Sequence, residues 1–221
     1  MCGRFTLIVD PDELQEAFGL ADSPPAGLAP RYNIAPSQPV AVIANGESRK
    51  LELFQWGLIP SWAKDPKIGN RMINARAETL AEKPSFRAAL KRRRCLILAD
   101  GFYEWKREGQ SKTPMHIQMK DGGLFAFAGL WEVWKSPDEL LIKSCAIITT
   151  TPNALVEEIH DRMPVILPPK AYDLWLTAGD LPYEQSLPLL KPFAALQMKA
   201  APVSTRVNNP AFDAPECVTP V

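Results

Sequence analysis

The chain is poor in the residues that most often advertise a function. Its 221 residues include only four cysteines and two histidines, and the formal net charge is zero. The cysteines, at positions 2, 95, 145 and 217, form no CxxC pair. With only His116 and His160 beside them, this argues against a zinc site and against a disulfide scaffold, so no metal and no cofactor are expected. The longest apolar runs, such as 124–130 and 146–148, fall far short of the roughly 20 residues that a membrane-spanning helix needs. No membrane association is therefore expected. The opening MCGRFTLIVD lacks a basic stretch followed by an apolar block. Neither a secretory signal nor a lipid anchor on Cys2 is expected, and the cytoplasm is the expected compartment. Internal repeats and low-complexity segments are also missing.

What is present is ordinary for a soluble globular protein, with 46% hydrophobic and 23% charged residues. One domain over 1–221 is expected, with the last ten or so residues as a peripheral tail. The zero net charge hides a mild asymmetry. Residues 1–107 carry 16 Lys and Arg against 12 Asp and Glu, and the remainder carries 9 against 13. A nucleic-acid protein need be basic only along its binding face, but random scatter accounts for so small a difference nearly as well.

Twenty-two prolines break the chain into short elements. A first helix is signalled over 11–18, with Asp10 to cap it, Pro11 in its first turn and Gly19 to close it. Further short helices are expected at 85–93, from 151–152 to about His160, and at 169–177. Strand-like runs lie at 39–44, 51–56, 95–99, 102–106, 115–119, 124–131 and 142–149. The links between them are too short for repeated βαβ crossovers, so the pattern is α+β with mostly antiparallel strands. Cys95, Cys145, Trp56 and His116 read as core or structural residues.

Four segments could carry chemistry. In MCGRF, removal of Met1 leaves Cys2 with an α-amine and a thiol on adjacent carbons. That 1,2-aminothiol can add to an aldehyde as an imine and then close a five-membered thiazolidine. Its two groups ordinarily titrate at roughly 8 and 8.5. In IHDRMPVIL, His160 stands on a turn beside Asp161 and Arg162, as an acid or base would. In ADGFYEWKR, Glu104 sits among aromatics that would desolvate it and raise its pKa, although simple alternation could instead turn Glu104 and Lys106 to water. In NRMINARAETL, Asn74 and Arg76 share a face if the segment is extended, and could grip a sugar and a phosphate. Asn33, Pro36 and Trp62 lie in RYNIAPS and WGLIPSWAKD, where an aromatic ring near arginines suits base stacking. The run 91–94 is basic but reads as a solvated cluster at a helix end.

Taken in order, MCGRF, YNIAP, WGLIPSW, NARAET, ADGFYEW, IHDRMPVIL and VSTRVNN closely resemble the SRAP family, the SOS-response-associated peptidases or abasic-site processing proteins. The resemblance spans residues 2 to 209. It implies a single domain whose bifurcated, mostly antiparallel β-sheet rolls into a pseudo-barrel with short peripheral helices. It also implies a monomer that binds single-stranded DNA containing abasic sites, including single-to-double-strand junctions, and localises to the nucleoid on damaged DNA. Such proteins remove their own first methionine and trap the ring-opened sugar covalently; an imine intermediate could also give weak lyase activity. Carried over to this sequence, Cys2 is the nucleophile, and Glu104 assists ring opening and proton transfer. His160 handles the sugar oxygen, and Asn74 senses the deoxyribose. Arg4, Arg76 and Arg162 match phosphate-binding arginines, Asn33 and Pro36 match a loop beside the site, and Trp62 matches a stacking residue. Some members have a second aromatic after that tryptophan, whereas Ala63 follows here, which weakens the expected junction preference. Two other readings remain open. One is a general cysteine peptidase with a Cys2/His160 dyad. The other is a non-catalytic single-strand-binding module.

Overall fold

The computed structural model describes residues 2–23, 25 and 27–221. Its strands are β1 (Phe5–Leu7), β2 (Arg31–Ile34), β3 (Pro39–Ala44), β4 (Leu51–Trp56), β5 (Asn74–Arg76), β6 (Arg94–Ala99), β7 (Gly101–Glu108), β8 (Ser111–Met119), β9 (Phe125–Lys135), β10 (Leu141–Thr150), β11 (Met163–Pro164), β12 (Ile166–Leu167) and β13 (Met198–Pro202). The α-helices are α1 (Pro11–Phe18), α2 (Pro84–Arg92), α3 (Ala154–Glu157), α4 (Tyr172–Trp175) and α5 (Tyr183–Ser186).

Two sheets share the strands. In the larger, β10, β4, β3, β6 and β9 pair in turn, and β9 pairs back onto β10 from Leu141↔Lys135 to Ile147↔Gly129, which closes a five-stranded barrel. The pairings are antiparallel except where β10 meets β4 and β5. Strand β6 is buried at every position, as a strand covered on both faces must be. The second sheet has the order β13-β8-β7-β1-β2.

The sheets fork at one residue. Strand β6 ends at Ala99 and β7 begins at Gly101. Between them Asp100 accepts a 2.6 Å bond from the Ile8 N–H and one from the Thr6 hydroxyl, and so binds the junction to β1. Gly101 is required by close approach: a Cβ there would lie 2.1 Å from His116 Nε2 and 2.9 Å from Thr6 Oγ1. The side chains of β1 and β7 then pack on the barrel. Phe5 sits edge-on to Trp56 at 5.1 Å and to Phe127 at 5.6 Å, and Phe102 meets Phe127 at 6.1 Å. Edge-on pairing suits the ring quadrupoles.

Helix α1 begins and ends where expected. Gly19 adopts a left-handed φ of 58°, and its N–H and that of Leu20 satisfy the last carbonyls. Asp10 occupies the cap position without a side-chain capping bond. Three expectations need correction. The segment expected as one helix from 151–152 to His160 holds only α3, because Asn153, not Thr151, caps it through bonds to the Leu155 and Val156 N–H groups. The segment 169–177 divides into a 3₁₀ turn, Pro169–Ala171, and the single-turn α4. Nor is Arg94 part of a solvated cluster. It is fully buried, and its guanidinium donates to the carbonyls of Trp175, Leu90, Lys91, Thr177 and Gly179. The chain end, expected as a peripheral tail, is anchored at Cys217, which is buried against Tyr103, Val203 and Val207, and by the bridge of Val203 to Pro220.

The five carbonyls around Arg94 close the C-terminal end of α2 and the turn after α4. Arg94→Leu would keep roughly the volume and remove the guanidinium from all five. The Lys91 carbonyl would keep the Leu181 N–H and the Thr177 carbonyl the Asn45 amide, while those of Trp175, Leu90 and Gly179 would lose the donor that Arg94 supplies. A loss of about 3–5 kcal/mol is expected, readable as a lower urea midpoint with an unchanged m-value.

Candidate functional site

Cys2, three residues before Phe5, is drawn under the junction of the two sheets and is completely buried. Its carbonyl accepts a 2.7 Å bond from Asn74 Nδ2. Asn74 is held in place because β5 pairs in parallel with β10, Ile147 opposite Asn74 and Thr149 opposite Arg76, and because Trp56 Nε1 donates to the Ile73 carbonyl at 2.9 Å. The other amide atom, Asn74 Oδ1, is buried with no hydrogen-bond donor among the described residues. A buried acceptor left open in this way calls for an explanation, and a ligand hydroxyl is one.

Glu104 comes from β7. Simple alternation does place Tyr103 opposite to it, but Glu104 faces inward with Phe102 rather than toward water, and is only 2% exposed. Burial pushes its carboxyl up to about 7, so both protonation states are populated at neutral pH. Burial, reinforced by the Glu104 charge, also drives the Cys2 thiol far above its ordinary value. The thiol therefore rests protonated, which counts against a thiolate–imidazolium dyad.

His160 follows α3, and its Nε2 stands 3.9 Å from Glu104 Oε2. Its Nδ1 has two neighbours, the Arg162 N–H at 3.0 Å and the Asp161 carboxylate at 2.9 Å. An amide N–H can only donate, so it selects the ring with a lone pair on Nδ1 and the proton on Nε2. The Asp161 contact becomes an ion pair only on a protonated ring, and burial lowers the His160 pKa. The neutral ring thus turns its N–H toward the carboxyl.

Two clefts flank this group. One, of about 460 Å³, is lined by Glu104, Trp105, Arg107, Lys112, His160 and Asn208. The other, also about 460 Å³, lies on the Asn74 side with Arg71, Arg76 and Lys83 on its walls and Met72 and Phe86 among its apolar lining. Arg71 is shared with a third hollow that holds Lys64, Lys67 and Trp62, and Trp62 is 61% exposed. The cations lining these clefts have no ion-pair partner among the described residues, whereas many elsewhere are paired, such as Arg31 with Asp213, Arg93 with Glu132 and Lys143 with Glu52. Unpaired cations along a groove are the arrangement a polyanion requires.

Not every residue singled out in the sequence faces these clefts. Asn33 is fully buried, and its amide donates to the carbonyls of Val207, Asn209 and Phe212. Arg4 Nη1 bonds Asn33 Oδ1 at 2.7 Å and the Val207 carbonyl at 2.8 Å. Both tie the C-terminal segment to the site's wall. Pro36 is half-buried in the turn after β2. Arg162 forms a two-pronged pair with Glu78, at 2.8 and 2.9 Å. Arg71, Lys83, Arg107, Lys112 and Asn208 were not singled out; Arg71, Arg107 and Asn208 lie in the segments NRMINARAETL, ADGFYEWKR and VSTRVNN that marked their neighbourhoods, whereas Lys83 and Lys112 lie in none. Among the described residues, no group of three or more His, Cys, Asp or Glu could hold a metal ion, and no helix is long and apolar enough to cross a membrane.

The family model for SOS response associated peptidase (SRAP) matches residues 1–210. The chain belongs to the SRAP family. It is 50% identical to the abasic site processing protein YoqW of Bacillus subtilis over 99% of both chains. It is 32% identical to the abasic site processing protein HMCES of Xenopus tropicalis, covering all of this chain and 78% of that relative. A crystal structure of a protein from Bacteroides thetaiotaomicron, 28% identical, superposes with a TM-score of 0.91 over the whole of both chains. The pseudo-barrel expected for an SRAP protein is therefore the fold observed.

The raised Glu104 pKa has a consequence for stability. A carboxyl that titrates near 7 when folded and near 4.5 when unfolded binds more protons in the folded state between those values. Its contribution is full below about pH 4.5 and is lost as pH rises through 7, at most about 3 kcal/mol. Glu104→Gln should therefore melt several degrees above the wild type at pH 8 and level with it at pH 4.5. Calorimetry at the two pH values checks this.

Proposed function

We propose that this SRAP protein captures the ring-opened aldehyde of an abasic site in single-stranded DNA as a thiazolidine on Cys2, after Met1 has been removed. The observation that carries this reading is the burial of Cys2 and Glu104 together, between clefts lined by unpaired cations and beside the open carbonyl of Asn74. Membership of a family whose relatives are named abasic site processing proteins supports it.

The chemistry follows from the groups present. Hydrolysis of the Met1–Cys2 bond consumes one water and frees the α-amine; we assign this step to the protein itself. The thiol rests protonated, so the amine is the first nucleophile. It adds to the sugar aldehyde to give a carbinolamine. A protonated Glu104 gives its proton to the departing hydroxyl and water leaves; the resulting iminium returns its N–H proton to the Glu104 carboxylate, and a neutral imine remains. The Cys2 S–H then adds across the C=N bond, sulfur to carbon and proton to nitrogen, and closes the ring. Aldehyde and aminothiol have become thiazolidine and one water. The His160 Nε2–H is placed to donate to the sugar oxygen, and Asn74 Oδ1 to accept from a deoxyribose hydroxyl. Arg76 takes a flanking phosphate; Arg162 can take another by exchanging Glu78 for it. Arg4, Asn33 and Pro36 support the wall beside the site. Trp62 stacks a base, with Ala63 leaving less of a wedge for a duplex junction. β-Elimination from the imine gives a weak lyase side reaction. We assign this activity to a single domain over 1–221, acting as a monomer in the cytoplasm during DNA repair.

On abasic single-stranded DNA, the wild type should give a stable DNA-linked band on a denaturing gel. Its intact mass should show the loss of one methionine and the gain of the DNA less one water. Cys2→Ala should give at most a labile link that survives only after borohydride reduction. An undiminished, stable band from that variant rules out the thiazolidine.

A further inference from the structure

The hairpin of β7 and β8 carries donors beyond those used above. Trp105 and Arg107 are two apart and share a face of β7. Arg107 stands directly opposite Lys112 in the register, so the two cations lie side by side in the cleft that holds Glu104 and His160. Neither has an ion-pair partner among the described residues. On the other face of the strand Lys106 is paired with Glu108 at 3.0 Å. Arg107 also borders the adjoining hollow beside Ile159, His160 and Asp161, where the Asp161 carboxylate lies against His160 Nδ1.

Asn208 reaches the same cleft from the C-terminal segment. Trp105 Nε1 donates to its Oδ1 at 2.7 Å. An indole N–H is a donor only, so the amide cannot be reversed without losing this bond. The Asn208 NH₂ group is thereby directed away from the indole, and it has no partner among the described residues. The 3₁₀ turn Thr205–Asn208 is itself anchored. Ser204 caps it through the Arg206 N–H at 3.3 Å, and Arg4 and Asn33 both hold the Val207 carbonyl, at 2.8 and 3.2 Å.

We propose that Asn208, Arg107 and Lys112 form a phosphate subsite for the DNA strand on the Glu104–His160 side of the lesion, with Trp105 setting the direction of the Asn208 amide. This rests on the DNA-trapping reading of the site and extends it. Two cations and a neutral N–H donor around one cleft match a phosphodiester, which offers acceptors and one negative charge. The cations Arg71, Arg76 and Lys83 take the strand on the Asn74 side, so the lesion sugar lies between two phosphate-holding walls.

Asn208→Asp separates this role from a merely structural one. Aspartate keeps an acceptor for the Trp105 N–H, so a structural role predicts unchanged or improved behaviour. The subsite predicts loss, because a donor becomes a negative charge facing a phosphate. The probe is a short undamaged single-stranded oligonucleotide, titrated by fluorescence anisotropy across a range of salt. Asn208→Asp should bind about tenfold more weakly at low salt, with a melting temperature no lower than the wild type. Arg107→Ala and Lys112→Ala should each reduce the slope of log K against log salt by about 0.7. Wild-type affinity in Asn208→Asp, or unchanged slopes in both cation variants, overturns the subsite. The wild type run alongside on abasic DNA keeps the two ideas apart. If it crosslinks while these variants bind normally, only the subsite is wrong; if it neither binds nor crosslinks, the DNA reading and the subsite fall together.

Discussion

Phe5 packs edge-on against Trp56 and Phe127, and the rest of the site follows from that contact. It seats β1 on the barrel, which places Cys2, three residues earlier, beneath the fork between the sheets. Strand β7 pairs with β1 through Phe5 and Phe102, so Glu104 is brought to the same place two residues further on. Trp56, pressed by Phe5 on one side, uses its indole N–H to hold the Ile73 carbonyl, and Asn74 is the next residue. One aromatic contact therefore couples the thiol, the carboxyl and the amide, although they lie on three separated segments.

Burial at this junction also sets the chemistry. Desolvation moves the Cys2 thiol and the Glu104 carboxyl in the same direction, toward their neutral forms. A neutral thiol is a poor leading nucleophile, and a half-protonated carboxyl is a good proton donor at neutral pH. The arrangement suits condensation with an aldehyde, in which water must leave, better than a thiolate attack on an amide. The unpaired cations stand outside this dry region, in clefts open to solvent, where their charge is not opposed by the cost of burial.

The C-terminal segment belongs to the same structure. Asn33 and Arg4 spend their hydrogen bonds on the carbonyls of Val207, Asn209 and Phe212, and Arg31 and the β2 backbone hold Asp213. Two residues whose sequence context pointed toward DNA thus shape the wall from behind. Bonds to main-chain carbonyls across some 170 to 200 positions leave no periodic trace in the sequence.

By itself the sequence determined the α+β class, the long antiparallel strands, the glycine stop of α1, and the pairing of Asn74 and Arg76 on one extended face. These depend on local alternation and turn chemistry, which neighbouring residues write directly. Its motifs also named Cys2, Asn74, Glu104 and His160 as a group. The tertiary structure alone decided that Glu104 faces inward, where alternation allowed either side, because only the packing of β7 on the barrel selects the face. It decided that Arg94 is buried, since its five carbonyl partners come from two elements joined far along the chain. It also brought Arg107, Lys112 and Asn208 into one cleft, because strand register and a distant turn, not sequence spacing, set which charges stand together.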